Sequence, residues 1–132
     1  MTARETLERH AEEFRQATDL AVDIVEEDGS RIFVVIRQVP LPPGLFNVEK
    51  SDVLFLTDKQ YPLSALDMFW TEVPVVRANG TVPQGAEQIE TYLNRQWRRF
   101  SWHRNGIWNP VSNGLLDHFS FVESAWATES KR

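Results

Sequence analysis

Residues 32–39 read Ile-Phe-Val-Val-Ile-Arg-Gln-Val, a β-branched run with turn residues before it and Pro40-Leu41-Pro42-Pro43-Gly44 after it. Branching at Cβ restricts χ1 and suits a pleated surface better than a helix, so the run is expected to be a strand that the prolines stop. Leu20 to Val25 forms a shorter strand signal just upstream, across Glu26-Glu27-Asp28-Gly29-Ser30, and the pair reads as a hairpin. Ser51-Asp52-Val53-Leu54-Phe55-Leu56 then returns, and Thr57-Asp58-Lys59-Gln60 turns the chain again. Successive strands on short turns restrict this part of the chain to an antiparallel meander.

Helical signals flank the meander. Thr2 followed by Glu5 makes a capping box, and Leu7, Ala11, Phe14 and Thr18 repeat at helical spacing, which predicts a helix over residues 3–19 with a charged outer face. Downstream, Tyr61-Pro62 opens an extended segment in which Asp67-Met68-Phe69-Trp70 is expected as a fourth strand. Asn79-Gly80 and Pro83-Gln84-Gly85 mark turns, and residues 87–95 read as a short helix with Ile89, Tyr92 and Leu93 inward. A last helix, capped by Ser112 or Asn113, carries Leu115, Phe119, Val122 and Trp126 as a core stripe, with residues 127–132 frayed. The expected class is α+β: an N-terminal helix, an antiparallel meander of about four strands, a loop-rich region and a C-terminal helix in one domain, residues 1–132.

Composition narrows the chemistry. At 132 residues and 15.3 kDa the chain is long enough to bury one hydrophobic core. It has no cysteine, which excludes disulfides, zinc-thiolate sites and a thiol nucleophile. The start, Met1-Thr2-Ala3-Arg4-Glu5, lacks an apolar signal region, and no apolar run approaches bilayer length; a cytoplasmic protein without a membrane partner is expected. His10 and His118 have no neighbours at metal-ligand spacing and read as structural or surface residues, so no metal is expected. No glycine pattern for phosphate is present, and no cofactor is expected. Asp67 and Asp117 are isolated and form no acid–base pair along the chain.

One stretch concentrates reactive and aromatic residues: Trp97-Arg98-Arg99-Phe100-Ser101-Trp102-His103-Arg104-Asn105-Gly106-Ile107-Trp108-Asn109-Pro110. Between Glu90 and Asp117 there is no carboxylate, while Arg95, Arg98, Arg99 and Arg104 all lie there. Alone, such a cluster is explained by aromatic packing with arginines stacked over it.

The order Pro42-Pro43-Gly44-Leu45-Phe46, Val53-Leu54-Phe55-Leu56 and Tyr61-Pro62 resembles the ubiquitin-conjugating enzyme family, in which a proline- and glycine-bearing turn, a third strand and a Tyr-Pro dipeptide follow in that order. Asp67-Met68-Phe69-Trp70, Pro83-Gln84, Trp97, Ser101-Trp102-His103 and Trp108-Asn109-Pro110 are similar to its divergent bacterial branch, prokaryotic family E. The resemblance runs from the first helix to Pro110 and assigns Tyr61, Pro62, Trp97, Trp108 and Pro110 to the structural motif. It implies a carrier of a ubiquitin-like protein that works with a cognate activating enzyme and a target protein amine in a bacterial conjugation pathway. Typical members bear the carried protein as a thioester on a cysteine several residues before the Trp-x-Pro element. Here that neighbourhood offers Ser101, and the His-Pro-Asn triplet that normally precedes the nucleophile is missing.

An oxyester on serine is then the implied carrier bond. Serine is a weak nucleophile that needs a base within reach, and His103, two residues on, shares a face with Ser101 if the segment is extended. Arg99, Arg104, backbone amides near Asn105-Gly106, or Asn109 are candidates to stabilise the oxyanion, while Arg95, Arg98 and Trp102 are candidate partner contacts. Against this stand a surface serine or one replacing a native cysteine, and a histidine bonded to a backbone carbonyl. Two other functions compete: a catalytically silent variant that binds or scaffolds a ubiquitin-like protein, and a single-stranded nucleic-acid-binding surface built on Trp97, Phe100 and Trp102. The acidic net charge of −5 opposes the latter.

Overall fold

The computed structural model describes residues 2–27, 29–104 and 106–131. Its elements run α1 (Ala3–Thr18), β1 (Val22–Glu26), β2 (Arg31–Pro40), β3 (Lys50–Asp58), β4 (Phe69–Thr71), β5 (Ile89–Tyr92), β6 (Arg95–Phe100) and α2 (Leu115–Glu129). The strands form one antiparallel sheet in the order β1-β2-β3-β4-β6-β5. The α+β class holds, with six strands in place of about four. Asp28, in the expected β1–β2 turn, lies outside the described residues.

The capping box forms as expected: the Thr2 hydroxyl accepts from the Glu5 N–H at 3.1 Å and the Glu5 carboxylate accepts from the Thr2 N–H at 3.2 Å. Leu7, Ala11 and Phe14 are buried beneath α1, facing Ile32, Val34 and Ile36 of β2 and Val53 and Phe55 of β3 in the main core. All four stripe residues of α2, Leu115, Phe119, Val122 and Trp126, enter the same core. Phe14 and Phe119 meet edge to face at 5.1 Å between the helices. Both helices therefore cover one face of the sheet.

The opposite face buries a second, smaller cluster of Phe33, Val35, Leu54, Trp70 and Trp97. Alternate residues of β2 and β3 thus enter different apolar layers, which is why these strands read as continuous apolar runs. The β2–β3 register shifts between Ile36 and Val39, with Gln38 at φ 50°. The Asp52 carboxylate closes this bulge by accepting from the Gln38 N–H at 2.9 Å.

Three sequence expectations are corrected. Residues 87–95 are not a helix but β5 and the start of β6, joined by Leu93 and Asn94 at φ 55° and 60°. Two consecutive left-handed residues make a tight hairpin turn, and pairing across it sets Glu90 against Trp97 and Tyr92 against Arg95. The cap of α2 is Gly114, not Ser112 or Asn113; its N–H donates to the Asp117 carboxylate at 2.8 Å. A Cβ at Gly114 would stand 2.9 Å from the His10 ring, so close helix packing selects glycine there. Finally, residues 127–129 are helical rather than frayed, because Glu129 is buried and paired with Arg77.

Candidate active site

Alternation along β6 sends Arg98 and Phe100 toward the helices and Arg95, Trp97 and Arg99 toward the outer face. Ser101 follows directly, and its N–H donates to the Gly85 carbonyl at 2.9 Å. The Arg99 Nε–H donates to the Ser101 hydroxyl oxygen at 2.9 Å, and Arg99 Nη1 donates to a Glu90 carboxylate oxygen at 3.0 Å. The other Glu90 oxygen accepts from Trp70 Nε1 at 2.7 Å and from the Tyr92 hydroxyl at 3.3 Å. Burial first, then the Glu90 charge and its hydrogen bond, push the Tyr92 hydroxyl above its ordinary pKa. The hydroxyl thus stays a neutral donor.

Ser101 and His103 do not form a hydrogen bond among the described contacts. The chain leaves strand geometry after Phe100, and His103 Nδ1 lies 2.8 Å from an Asp67 carboxylate oxygen, while the Arg104 N–H donates to the other at 3.4 Å. Burial alone would raise the Asp67 carboxyl, but these hydrogen bonds outweigh it and hold the group below the usual carboxylate range. Asp67, which the sequence leaves isolated, is therefore the partner of His103. Thirty-six positions separate them, and no spacing signal connects them. The Asp67–His103 pair remains open to water, with 49% and 63% of the two side chains exposed. A carboxylate on one ring nitrogen orients the imidazole for proton transfer at the other.

Trp102 packs edge to face on Phe69 and Phe100 and donates its indole N–H to the Gln84 carbonyl at 2.8 Å. Gly85 sits at φ 86°, with Trp102 only 3.1 Å from where a Cβ would stand, so this turn needs glycine twice over. Between Trp102, His103 and α2 lies a cleft of about 270 Å³, also lined by Phe121, Ser124, Thr128 and Glu129.

The remaining candidate residues divide by placement. Arg98 is buried and donates to the Val73 and Ala86 carbonyls at 2.9 and 2.6 Å, tying two loops to β6. Arg95 stacks 4.2 Å over Trp97 and donates to Asp52 at 3.0 Å. Arg104 lies 5.0 Å over Trp108. Asn109 closes a local turn through Val111 and Asn113, and Asn105 lies outside the described residues. Trp97 is buried, Trp108 donates to the Pro62 carbonyl at 2.7 Å and stacks at a tilt on Tyr61, and Pro110 begins the turn before α2. Tyr61 in turn meets His10 Nδ1 at 2.7 Å. With Trp97 and Phe100 both fully buried, two of the three aromatics of a base-stacking surface are unavailable.

His118 lies beneath the site. Its Nε2 is 2.7 Å from the Met68 carbonyl; since a carbonyl only accepts, Nε2 carries the proton. Burial pushes its pKa down to about 4, so the ring is neutral near pH 7. It stands next to Phe55 at 4.6 Å and anchors the turn that carries Asp67.

The family model of prokaryotic E2 family E matches residues 7–129. The chain belongs to this family. No curated protein matches it, nor does any solved structure. This member of family E has no cysteine anywhere, and Ser101, with Arg99 on its oxygen, is the hydroxyl in the segment before the Trp-x-Pro element. No helix among the described residues is long and apolar enough to cross a membrane.

Proposed function

We propose that this family E protein is an acyl-carrier transferase that accepts the C-terminal carboxyl of a ubiquitin-like protein from its activating enzyme as an oxyester on Ser101 and passes it to a target amine. The hydrogen bond from Arg99 to the Ser101 hydroxyl carries the reading, because a permanent positive charge on that oxygen favours its deprotonated form during loading and its departure as leaving group during transfer. In loading, the Ser101 oxygen bonds to the activated acyl carbon, the bond to the activating enzyme's leaving group breaks, and the hydroxyl proton ends on that group. In transfer, the target amine attacks the ester carbon, the C–O bond breaks, and Ser101 regains a proton as the amide forms. Both steps pass through a tetrahedral oxyanion.

Arg99 cannot take up a proton at physiological pH. Proton movement therefore falls to His103, with Asp67 holding the ring in place. Reach from His103 to the reacting atoms is gained by its exposed position when substrate binds, not by a standing bond to Ser101. The cytoplasm, where activating enzymes have ATP, is the compartment this chemistry requires.

The experiment is incubation with an activating enzyme, ATP and its ubiquitin-like protein. An adduct that resists thiol reductant, is cleaved by hydroxylamine and disappears in Ser101→Ala supports the oxyester. Binding of the ubiquitin-like protein without any adduct identifies instead the silent scaffold, which the missing cysteine favours. An adduct unchanged in Ser101→Ala places the nucleophile elsewhere.

A further inference from the structure

We propose that Glu90, on the edge strand β5, is a positioning residue for the nucleophile, acting through Arg99. The inference rests on the assignment of Ser101 as nucleophile and extends it to a residue that touches no reacting atom. Arg99 is a long side chain on the outer face, and a single donor contact to Ser101 leaves several of its torsions free. Glu90 removes that freedom: its Oε2 takes Arg99 Nη1 at 3.0 Å while Nε reaches Ser101 at 2.9 Å. The two bonds leave different nitrogens of one planar group, so fixing one aims the other.

Glu90 is itself held. Its Oε1 accepts from the indole of Trp70 and the hydroxyl of Tyr92, and it stands across from Trp97 in the β5–β6 register. Trp70 and Trp97 belong to the outer apolar cluster, and both are buried. A rigid aromatic floor therefore fixes the carboxylate, the carboxylate fixes the guanidinium, and the guanidinium fixes the hydroxyl. The Glu90 side chain is about one-fifth exposed and that of Arg99 about one-third, so water competes only partly for the pair.

The sign of the effect separates aim from charge. Removing the Glu90 charge strengthens the positive field of Arg99 at Ser101, which by charge alone would activate the serine. Loss of aim slows it. The relay requires aim to win, so Glu90→Gln is expected to slow the serine.

The test uses a fluorophosphonate probe, which needs no partner protein. The Ser101 oxygen displaces fluoride from phosphorus, a P–O bond replaces the P–F bond, and the proton leaves with fluoride. Labelling of Ser101 in the full chain is followed by mass spectrometry across pH 6–9. Glu90→Gln is expected to cut the labelling rate constant about tenfold at saturating probe without raising the half-saturating concentration, and Glu90→Asp to recover part of it. Arg99→Ala and the Arg99→Ala/Glu90→Gln double variant are expected to react equally slowly, because Glu90 acts only through Arg99. Losses that multiply in the double variant, or a Glu90→Gln rate equal to wild type, overturn the relay while leaving Ser101 as nucleophile. If wild-type Ser101 takes no label, the nucleophile assignment fails and the relay with it. Thermal unfolding of each variant guards the comparison: a Glu90→Gln protein that labels slowly only where it is already unfolding also overturns the relay.

Discussion

Two carboxylates on the outer face of the sheet are built alike and end differently. Asp52 accepts from Arg37 and Arg95, each at 3.0 Å, and from the Gln38 backbone and side chain at the β2 bulge. Glu90 accepts from Arg99, Trp70 and Tyr92. Both hold arginines that are one-third to two-fifths exposed. The Asp52 network closes on backbone and on other charges: Arg37 turns to Asp23 at 2.7 Å and Arg95 lies over Trp97. At Glu90 a second donor of the arginine ends on a serine hydroxyl. A carboxylate–arginine pair in this fold is thus structural or functional according to what the arginine touches next.

The largest effect is expected of Arg99→Ala, which removes the donor and leaves Ser101 in place. A hydrogen bond to a charged group contributes about 1.5–3 kcal/mol, and oxyester formation is expected to slow by about 10–10²-fold with the fold intact by circular dichroism. A loss below about threefold would make Arg99 another surface pair, no different from Arg37.

Next in size is a pH effect on the fold that must be separated from any pH effect on transfer. His118 is neutral in the folded protein, with its pKa pushed from an ordinary 6.5 to about 4 by burial. Below pH 6.5 the unfolded chain takes up a proton that the folded protein refuses until about pH 4. Stability therefore falls as pH drops through that window, by at most about 3 kcal/mol from this group. Chemical denaturation at pH 7.5, 6, 5 and 4.5 should show the decline, and His118→Gln should flatten it; an unchanged slope in the variant would assign the acid sensitivity elsewhere. Transfer rates are best compared above pH 7, where His118 is silent.

Asp52→Ala addresses the other carboxylate. The Asp52 side chain is buried, but its arginines are 36–43% exposed and can rehydrate, so about 2 kcal/mol of stability is expected to go, less than for a fully enclosed pair. Carrier chemistry should stay within twofold of wild type. A variant that folds normally yet transfers slowly would join the two networks into one. The smallest effect belongs to Thr2→Ala, which removes the α1 cap and should lower stability by about 1 kcal/mol with no change in transfer.

Much of the framework is legible in the amino-acid sequence alone. The capping box at Thr2 and Glu5, the stripe from Leu115 to Trp126 and the three meander strands are local patterns, and each forms within a residue or two of its expected span. The resemblance to prokaryotic E2 family E also rests on short motifs in order, and the family match bears it out. The β5–β6 hairpin is where local signals mislead. Glu87 to Arg95 has acceptable helix formers, but Leu93 and Asn94 take left-handed conformations because pairing with β4 through β6 rewards the turn.

Local pattern thus determined that this chain would fold as helices over one antiparallel sheet and that Ser101 and His103 would stand before a Trp-x-Pro element. Only tertiary structure decided their more distant partners. Ser101 meets Arg99, two positions before it, by local alternation, whereas Arg99 meets Glu90 because the β5–β6 register sets Glu90 on the same face as Trp97. His103 meets Asp67 because the segment before β4 passes beside the loop after β6. Periodicity encodes which face a residue takes, since that depends on its own strand or helix. Contact between distant side chains depends on how those elements are registered against one another, and no spacing within the chain records it.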